Sequence, residues 1–444
     1  MAFADAPPSP GSTFHRVLNR IIDVRPSEVP ALGWSWLYIF SLLSSYYIMR
    51  PIRDQMGVAG GVNNLQWLFT GTLIGMLLLN LPFSYLVKTY PRAKFVTISY
   101  RFFSANILLF VLALYSATPE QTVWVGRIFF IWTSIFNLFV VSIFWQMIVD
   151  IFTSEQGKRL FGFIAAGATL GAISGSVFTV STVEHMAPGY LMTGAALMLE
   201  VAVFCVRRLS GLSEVMASRP RTDRPEAPIG GTLLGGFRDA LSSSYLLNVS
   251  LFLLLYAVTS TFLYFQQAAV VGQSFQSRAA QTAFFATVDL GVNLLTLGVQ
   301  LFLTGRILRR FGVATTLSML PVFSMLGFGT VAVLPTLASV VGFQLFRRAG
   351  NFAIARPTRE VLFTVLPRED RYKAKSFIDT AVYRLGDQIG AWSFALLGAL
   401  GLGFTNVSFV AAAISAIWLV NGLWLGRRQE VLARQQEAGP EVQS

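Results

Sequence analysis

The chain has 444 residues, of which 54% are hydrophobic and only 13% are charged. A soluble protein carries about 25% charged residues, because its surface faces water, and the mean hydropathy here is +0.59. This composition excludes a soluble multidomain enzyme, a disordered protein and a disulfide scaffold, and it predicts an all-α polytopic membrane protein. With one Cys and two His, a His/Cys metal cluster is excluded as well.

Twelve apolar segments are long enough to cross a bilayer as helices, which takes about 20 residues each. In chain order they are 31–49, 65–87, 95–115, 123–149, 160–182, 189–206, 245–271, 281–304, 313–334, 336–365, 376–400 and 404–425. The stretch between the sixth and seventh segments is polar and rich in Pro and Gly, which is typical of a linker. We therefore predict an N-terminal segment 1–30 without a cleavable signal, a six-helix bundle 31–206, a linker 207–244, a second six-helix bundle 245–426 and a tail 427–444.

Lys and Arg are concentrated in every second loop, in the linker and in both termini, whereas the alternate loops hold only Arg53 and Arg278. Cytoplasmic loops of multi-pass proteins carry the excess of Lys and Arg. We therefore expect both termini and the linker on the cytoplasmic side of a bacterial inner membrane. This bias accounts for the net charge of +12, so a nucleic-acid partner has no support.

The two halves of the chain resemble each other in sequence. Segment 153–159 (TSEQGKR) lies 214 positions before segment 367–373 (PREDRYK), and the offset becomes 215 after one inserted residue. Two parallel six-helix repeats resemble the layout of major facilitator transporters, whose solute site lies near the bilayer midplane. The aligned positions beyond the first segment are Phe163 and Phe377, Ile164 and Ile378, Gly171 and Gly386, and Gly175 and Gly390.

Several arginines lie within or at the ends of the predicted spans, where one Arg costs about 2.5–3.5 kcal/mol at a helix centre. They outnumber the carboxylates at comparable depth, so pairing cannot absorb all of them. A positive surplus in a cavity predicts a site for an anionic solute, phosphorylated or carboxylated. The candidate solute-binding residues are Arg50, Arg53, Asp54, Arg127, Arg347, Arg348, Arg356, Arg359, Glu360 and Arg384.

Ion pairing is the alternative interpretation for individual charged residues. Arg356 and Glu360 stand i,i+4 on one predicted helix, and Arg384 and Asp387 stand i,i+3 on the next. A lone carboxylate within a span, such as Asp289, carries a proton if burial raises its pKa, or else pairs with an arginine. The candidate gating or coupling residues are Lys158, Arg159, Glu200, Asp289, Lys373, Lys375, Asp379 and Asp387.

Short motifs in both halves resemble the ATP:ADP antiporter family, the nucleotide transporters of plastids and obligate intracellular bacteria. They are YYIMRPIRD at 46–54, FW at 144–145 followed by SEQGKRLFG at 154–162, PTRE at 357–360, KAKS at 373–376, and the later Asp379 with Arg384-Leu385-Gly386. The resemblance implies nucleotide exchange, with the basic residues Arg53 (next to Asp54), Lys373 and Lys375 handling phosphates and Arg359-Glu360 matching a Lys-Glu pair. Asp387 stands where the family tends to have Lys, which argues against assuming a triphosphate.

We predict a secondary transporter, not an enzyme, that moves a nucleotide-like anion by alternating access, by exchange. It is expected to work as a monomer in the lipid bilayer and to need no cofactor, and the sequence holds no phosphate-binding loop for ATP-driven transport. One alternative is a proton-coupled exporter of amphipathic or cationic compounds, controlled by Asp289 or Glu200. Another is a membrane scaffold or sensor that transports nothing and whose arginines are all saturated by carboxylates.

Overall fold

The structure is a computed structural model that describes residues 22–217, 243–366, 374–375 and 377–437. These residues form helices and connecting turns, without a β-strand among them. In chain order they are a 3₁₀ turn Pro26–Glu28, α1 Val29–Ala59, a 3₁₀ turn Val62–Asn64, α2 Leu65–Thr89, α3 Arg92–Ser116, α4 Pro119–Ile151, α5 Ser154–Thr182, α6 Pro188–Ala217, α7 Ser244–Ser274, α8 Arg278–Phe302, α9 Thr304–Val333, α10 Leu337–Gly350, a π turn Asn351–Ala355, α11 Arg356–Leu362, a π turn Ile378–Val382, α12 Tyr383–Ala399 and α13 Phe404–Glu437.

Within the described ranges, nine helices are long and apolar enough to cross a membrane. They confirm a polytopic α-helical membrane protein. α10 and α12 are shorter than a full span, with 14 and 17 residues, because a π turn interrupts each of these predicted spans. α1 carries Arg50, Arg53 and Asp54, which lower the hydropathy of its last third. The count of twelve spans stays a prediction.

Some helices extend beyond the apolar segments that predict them. α6 continues to Ala217 and α13 to Glu437, since a helix that leaves the apolar layer keeps its backbone hydrogen bonds when its side chains become polar. α9 begins at Thr304, so the basic segment before its apolar part is helical too. This helix bends at Gly312, whose φ of 71° is readily adopted only by glycine.

The chain divides into two compact units. The first comprises Met1–Ile52, Leu77–Thr118 and Trp132–Thr222, and the second comprises Arg53–Met76, Pro119–Ile131 and Asp223–Ser444. The second unit therefore contains the whole second half of the chain, together with the end of α1 and the beginnings of α2 and α4.

The internal repeat is visible in how each unit packs its glycines. In the first unit, a Cβ at Gly171 of α5 would lie 2.3 Å from the carbonyl oxygen of Phe40 on α1. In the second, a Cβ at the aligned Gly386 of α12 would lie 3.0 Å from the carbonyl oxygen of Leu254 on α7. Phe40 and Leu254 are themselves 214 positions apart. Both helix pairs thus approach closely because the residue at the crossing has no side chain.

Within the second unit, the ends of first-half helices pack against second-half helices through an apolar group that we call the interlock cluster. The ring of Phe69 on α2 meets the ring of Phe265 on α7 edge to face, with ring centroids 5.4 Å apart. Trp67 of α2 meets Trp392 of α12 at 4.8 Å. The buried members of the interlock cluster are Val58, Leu65, Leu68, Phe130, Phe265, Ala268, Val271, Phe285 and Ala391.

Candidate functional site

The end of α1 carries a charged pair that is bound from two other helices. Nε of Arg53 donates a hydrogen bond to Oδ1 of Asp54 at 2.9 Å, and the same oxygen accepts one from the hydroxyl of Tyr264 on α7 at 3.0 Å. The Arg53 guanidinium lies 4.9 Å from the ring centroid of Phe130 on α4. Asp54 is 4% exposed, so this carboxylate is held inside the second unit beside the interlock cluster.

Two further arginines near the ends of α1 and α4 contact aromatic rings. Arg127 lies 4.6 Å from the ring of Trp124 and donates to the carbonyl oxygen of Gly60 at 3.2 Å. In the first unit, Arg50 lies 5.6 Å from the ring of Tyr47. Cation–π contacts of this kind stabilise an arginine in an apolar layer.

Arg347 and Arg348 are neighbours on α10 but point to different helices, as the turn of about 100° per residue requires. Arg348 forms an ion pair with Asp289 of α8 at 2.7 Å, and their side chains are 11% and 2% exposed. Arg347 is 1% exposed and donates to the hydroxyls of Thr259 at 2.7 Å and Ser324 at 3.0 Å. No carboxylate of the described residues pairs with Arg347.

The charges around the second π turn form ion pairs before and after it. Lys375, before the π turn, binds Glu360. Asp379, within the π turn, binds Arg359 at 2.9 Å. These contacts correct the predicted pairing of Glu360 with Arg356, which is exposed and has no carboxylate partner among the described residues. Arg356 and Glu360 share a helix, but Glu360 pairs with Lys375, which precedes the second π turn.

After the π turn, the predicted pair of Arg384 and Asp387 is present at 3.1 Å. Their side chains are 32% and 10% exposed, so Arg384 is the most open of the second-unit arginines for which an ion pair is described. Arg384 also lies 5.8 Å from the ring of Tyr383, which stands 6.4 Å from the ring of Tyr256 on α7. The Tyr256 ring in turn faces Arg347 at 5.1 Å.

These residues form a group in the second unit that we call the Arg384 group: Tyr256, Arg347, Tyr383, Arg384 and Asp387. It contains two guanidinium groups and one carboxylate, so it carries a positive surplus. The tyrosine rings add flat apolar surfaces with a hydroxyl at the edge. Such a group can bind an anion with a planar portion, because Arg offers a bidentate fork to phosphate or carboxylate.

The remaining candidates lie in the first unit or outside the described residues. Arg101 and Glu200 pair at 3.8 Å and are both about half exposed, at 53% and 44%. Arg159 pairs with Glu28 at 3.0 Å. The side chain of Lys158 and the whole of Lys373 lie outside the described residues.

Glu28 is a residue that the sequence did not single out. Its carboxylate accepts hydrogen bonds from the backbone N–H of Arg25, from Gln156 and from Arg159, all between 2.9 and 3.0 Å. Burial raises its pKa, but these hydrogen bonds and the positive charge of Arg159 outweigh burial and lower the pKa of Glu28 below its ordinary value. The cluster fastens the turn before α1 to the start of α5.

Tyr264 was also missed, because nothing in its local sequence distinguishes it from other tyrosines in apolar spans. Its partner Asp54 lies 210 positions away. An acidic residue at the end of an otherwise apolar span was the only available signal, and it identified one partner alone. Among the described residues, no group of three His, Cys, Asp or Glu side chains is arranged to hold a metal ion.

No protein-family model matches the chain. The chain is 24% identical over 343 residues to ADP,ATP carrier protein 1 of Chlamydia muridarum, in a match that covers 68% of this chain and 64% of that carrier. The match therefore spans less than two thirds of that carrier's length. ADP,ATP carrier protein 2 of Chlamydia pneumoniae is 19% identical, with 93% of this chain and 91% of the carrier covered.

The chain is a distant relative of these carriers. The family resemblance in its motifs is thereby confirmed at the level of distant homology, and the relatives are carriers rather than enzymes.

Solved structures of transporters share the fold. The nucleoside transporter NupG superposes with a TM-score of 0.59 at 13% identity, covering 90% of this chain and 98% of that one. A bacterial homologue of the iron transporter ferroportin, in an inward-facing state, superposes with a TM-score of 0.62 at 12% identity over the same shares. At such identities the likeness concerns the fold, and it confirms the predicted major facilitator architecture.

Proposed function

We propose that the protein is a secondary transporter that exchanges an anionic, phosphorylated and nucleotide-like solute across a bacterial inner membrane by alternating access. In this proposal both termini are cytoplasmic, the protein works as a monomer, and the Arg384 group binds the solute within the second unit. Distant homology to ADP,ATP carriers supports the solute class.

The observation that carries the proposal is that Arg384 is loosely paired and partly exposed. Its partner Asp387 stands on the same helix and holds it through one hydrogen bond of 3.1 Å, and about a third of its side chain is exposed. By comparison, Arg348 and Asp289 are held at 2.7 Å and both side chains are nearly buried, so a solute has little access to this pair. A phosphate that offers two oxygens can therefore compete with Asp387 for Arg384, because bidentate charge-assisted hydrogen bonds are stronger than single ones.

The positive surplus makes this competition favourable for an anion. Arg347 adds a second charge behind the Tyr256 ring, and the described residues supply it only with neutral oxygen acceptors. A bound anion would gain from both cations in a low-dielectric setting, where charges interact more strongly than in water.

In alternating access, the transport pathway is closed on one side of the membrane at a time. The contacts at the interlock cluster are suited to form such a closure. The end of α1 and the start of α2 contact α7 and α12 through Asp54 with Tyr264 and through Thr70 with Gln388, at 3.0 Å in both pairs. With cytoplasmic termini, these helix ends are on the outer face. The proposed cycle opens this closure to admit solute from outside.

The alternative of a proton-coupled exporter is less well supported. It depends on Asp289 or Glu200 taking up a proton. Oδ1 of Asp289 accepts a hydrogen bond from Arg348, so this carboxylate already has a cationic partner. Glu200 is almost half exposed beside Arg101.

Exchange by the purified protein in liposomes tests the proposal. Liposomes are loaded with unlabelled ATP, ADP, other nucleotides, sugar phosphates or dicarboxylates, and uptake of the matching labelled solute is measured with and without the internal load. We expect uptake of at least one phosphorylated anion that depends on internal load and falls about 10- to 100-fold in Arg384→Gln, since a hydrogen bond to a charged group contributes about 1.5–3 kcal/mol.

Arg101→Gln is the matched control, because Arg101 is an exposed arginine of the first unit that pairs with Glu200, and we expect it to leave exchange within about twofold. No uptake of any anion, together with efflux of a cationic amphiphile driven by a proton gradient, would establish the exporter instead. Equal loss in both variants would remove Arg384 from the site.

A further inference from the structure

The exposed face of α13 changes from apolar to basic where the helix leaves the predicted span 404–425. The apolar part of this face ends with Val420 and Trp424, which are 68% and 42% exposed. Arg427 and Arg428 follow within about one turn and are exposed as well. All four border a shallow open groove of about 410 Å³ in the second unit, whose lining residues are Val420, Leu423, Trp424, Arg427, Arg428 and Val431.

The opposite face of α13 packs tightly on α9. A Cβ at Gly426 would lie 2.2 Å from Cα of Ala314 on α9, so the two helices are in backbone contact at this point. Trp424 and Arg428 stand two residues before and after Gly426, a rotation of about 200° in either direction. The groove therefore lies on the side of α13 that points away from α9.

The carboxylate that stands nearest along the helix is held by α9 instead of by the arginines. Glu430 follows Arg427 by three residues, a spacing that favours an ion pair on a helix. Its Oε1 instead accepts hydrogen bonds from the backbone N–H groups of Val313 and Ala314, at 3.1 and 3.2 Å. Among the described residues, no carboxylate forms an ion pair with Arg427 or Arg428, so the groove carries two positive charges.

Two guanidinium groups, a tryptophan and an apolar wall match the parts of an anionic phospholipid. Arginine binds phosphate through a bidentate fork. Tryptophan is enriched where a membrane meets water, because its ring is apolar and its N–H is polar. Val420 lies about 10 Å deeper along α13 than Arg427, at 1.5 Å per residue. The basic end of the groove thus lies at the level of headgroups and the apolar end beside acyl chains.

We propose that this groove binds one anionic phospholipid of the bilayer, with Arg427 and Arg428 on its phosphate and Trp424 and Val420 against its glycerol and acyl chains. A zwitterionic lipid binds less tightly, because its ammonium group offsets the negative charge that the arginines attract. With cytoplasmic termini the groove faces the inner leaflet. That choice of leaflet rests on the proposed function, whereas the binding itself needs no transported solute.

Arginines at the cytoplasmic end of a span also follow from membrane topology alone, and such charges attract any anionic membrane surface. A specific site differs, because it depends on Arg427 and Arg428 and not merely on the net charge of that side. Arg306 and Arg309 of α9 supply the comparison. Both are exposed, both lie in a basic segment of the same predicted side, and neither lines the groove.

Binding of phosphatidylglycerol and phosphatidylcholine with identical acyl chains to the purified full-length protein, counted by native mass spectrometry, tests the proposal. We expect one phosphatidylglycerol to bind about fivefold or more tightly than phosphatidylcholine, since each arginine near an anionic lipid contributes about fivefold in affinity. In Arg427→Gln/Arg428→Gln this preference should be lost. Arg306→Gln/Arg309→Gln removes the same charge and is the matched control, which should keep the preference.

Quenching of tryptophan fluorescence by phosphatidylglycerol brominated on its acyl chains locates the lipid and needs neither arginine variant. The quenched part of the emission should be smaller in Trp424→Phe than in the unaltered chain, because Trp424 lines the groove. Brominated phosphatidylcholine at the same concentration should show a smaller difference between the two proteins. An excess of inorganic phosphate should not displace the lipid, because phosphate has no acyl chain for the apolar wall.

The same loss of preference in both double variants would show attraction to a basic surface in general and would overturn the inference. Equal binding of the two lipids to the unaltered chain, or unchanged quenching in Trp424→Phe, would do so too. Displacement by inorganic phosphate would identify a site for the free anion instead of a lipid. Absence of anion exchange in liposomes, together with the expected lipid preference, would reject the proposed function and retain the lipid site.

Discussion

The hydroxyl of Tyr264 donates a hydrogen bond of 3.0 Å to Oδ1 of Asp54, although the two residues lie 210 positions apart. The bond joins the end of α1, in the first half of the chain, to α7 in the second. It lies beside the interlock cluster, where Asp54 also holds Arg53. An ionised acceptor makes this a strong hydrogen bond, so it should contribute to the stability of the outer closure in the proposed cycle.

Tyr264→Phe removes that bond and keeps the ring contact with Phe69. A hydrogen bond to a charged group contributes about 1.5–3 kcal/mol, so the open population should rise about 10- to 100-fold. Spin labels at the exposed positions Asn63 and Gln276 report it as a second, longer distance. Tyr245→Phe is the control, because its hydroxyl bonds the Leu362 carbonyl within the second half. An unchanged distance distribution in Tyr264→Phe would argue that the bond does not hold this side closed.

Covalent closure of the interlock cluster should stop transport. A Cβ at Gly272 of α7 would lie 3.1 Å from Cγ1 of Val58 on α1, which favours a disulfide in Val58→Cys/Gly272→Cys with Cys205→Ala. Oxidation should lower exchange more than tenfold and a thiol reductant should restore it. Met56→Cys/Gly126→Cys is the control, since it joins two first-half helices and a Cβ at Gly126 lies 3.2 Å from Cβ of Met56. Full exchange by the oxidised Val58–Gly272 protein would show that this side need not open.

The pair of Arg348 and Asp289 should matter for stability more than for transport. Removing one partner leaves a buried charge, so Arg348→Ala and Asp289→Ala should each lower the free energy of unfolding by about 3–5 kcal/mol. Replacement of both by apolar residues, Arg348→Met with Asp289→Leu, should restore most of it. Thermal unfolding measures the three variants. Retained stability but abolished transport in the double variant would support the proton-coupled exporter.

Because α5 packs closely on α1, a Gly→Ala substitution in α5 should destabilise the protein at some positions and not at others. Gly171→Ala places a Cβ 2.3 Å from the Phe40 carbonyl oxygen, and such overpacking costs about 1–3 kcal/mol. Gly162 lies on the same helix with nothing within 4 Å of its Cβ position, so Gly162→Ala should be neutral or stabilising through helix propensity. Unfolding temperatures of the two variants provide the comparison, and equal values would contradict the packing.

The Glu28 cluster predicts a loss of stability in acid. Because the folded-state pKa of Glu28 is below its ordinary value, the carboxylate stabilises the folded state above the ordinary glutamate pKa of about 4.3. That stabilisation is lost as pH falls through the lower folded-state value. The unfolding temperature of Glu28→Gln should be lower at neutral pH and should approach that of the unaltered chain in acid. A constant difference across the pH range would exclude this linkage.

Several features of the site were predictable because they depend on short stretches of sequence. The i,i+3 pair of Arg384 and Asp387 follows from one helix, and the positive surplus follows from counting charges in spans. The pairing of Glu360 with Arg356 was predicted wrongly, because the actual partner of Glu360 lies outside its own helix. The helix gives Glu360 a neighbour at Arg356, but in the folded protein Glu360 pairs with Lys375, which lies beyond the end of that helix. The local pattern cannot decide between the two partners.

The sequence by itself determined the membrane class, the repeated halves and the register shift between them, because hydropathy over about 20 residues and spacing along one helix are local properties. Only the tertiary structure decided that Asp54 meets Tyr264, that Asp289 meets Arg348 and that Arg347 is buried among neutral acceptors. Those contacts depend on the rotation of each helix about its axis, which close packing against neighbouring helices sets. A turn of about 100° exchanges one partner for another and leaves the hydropathy of the span unchanged.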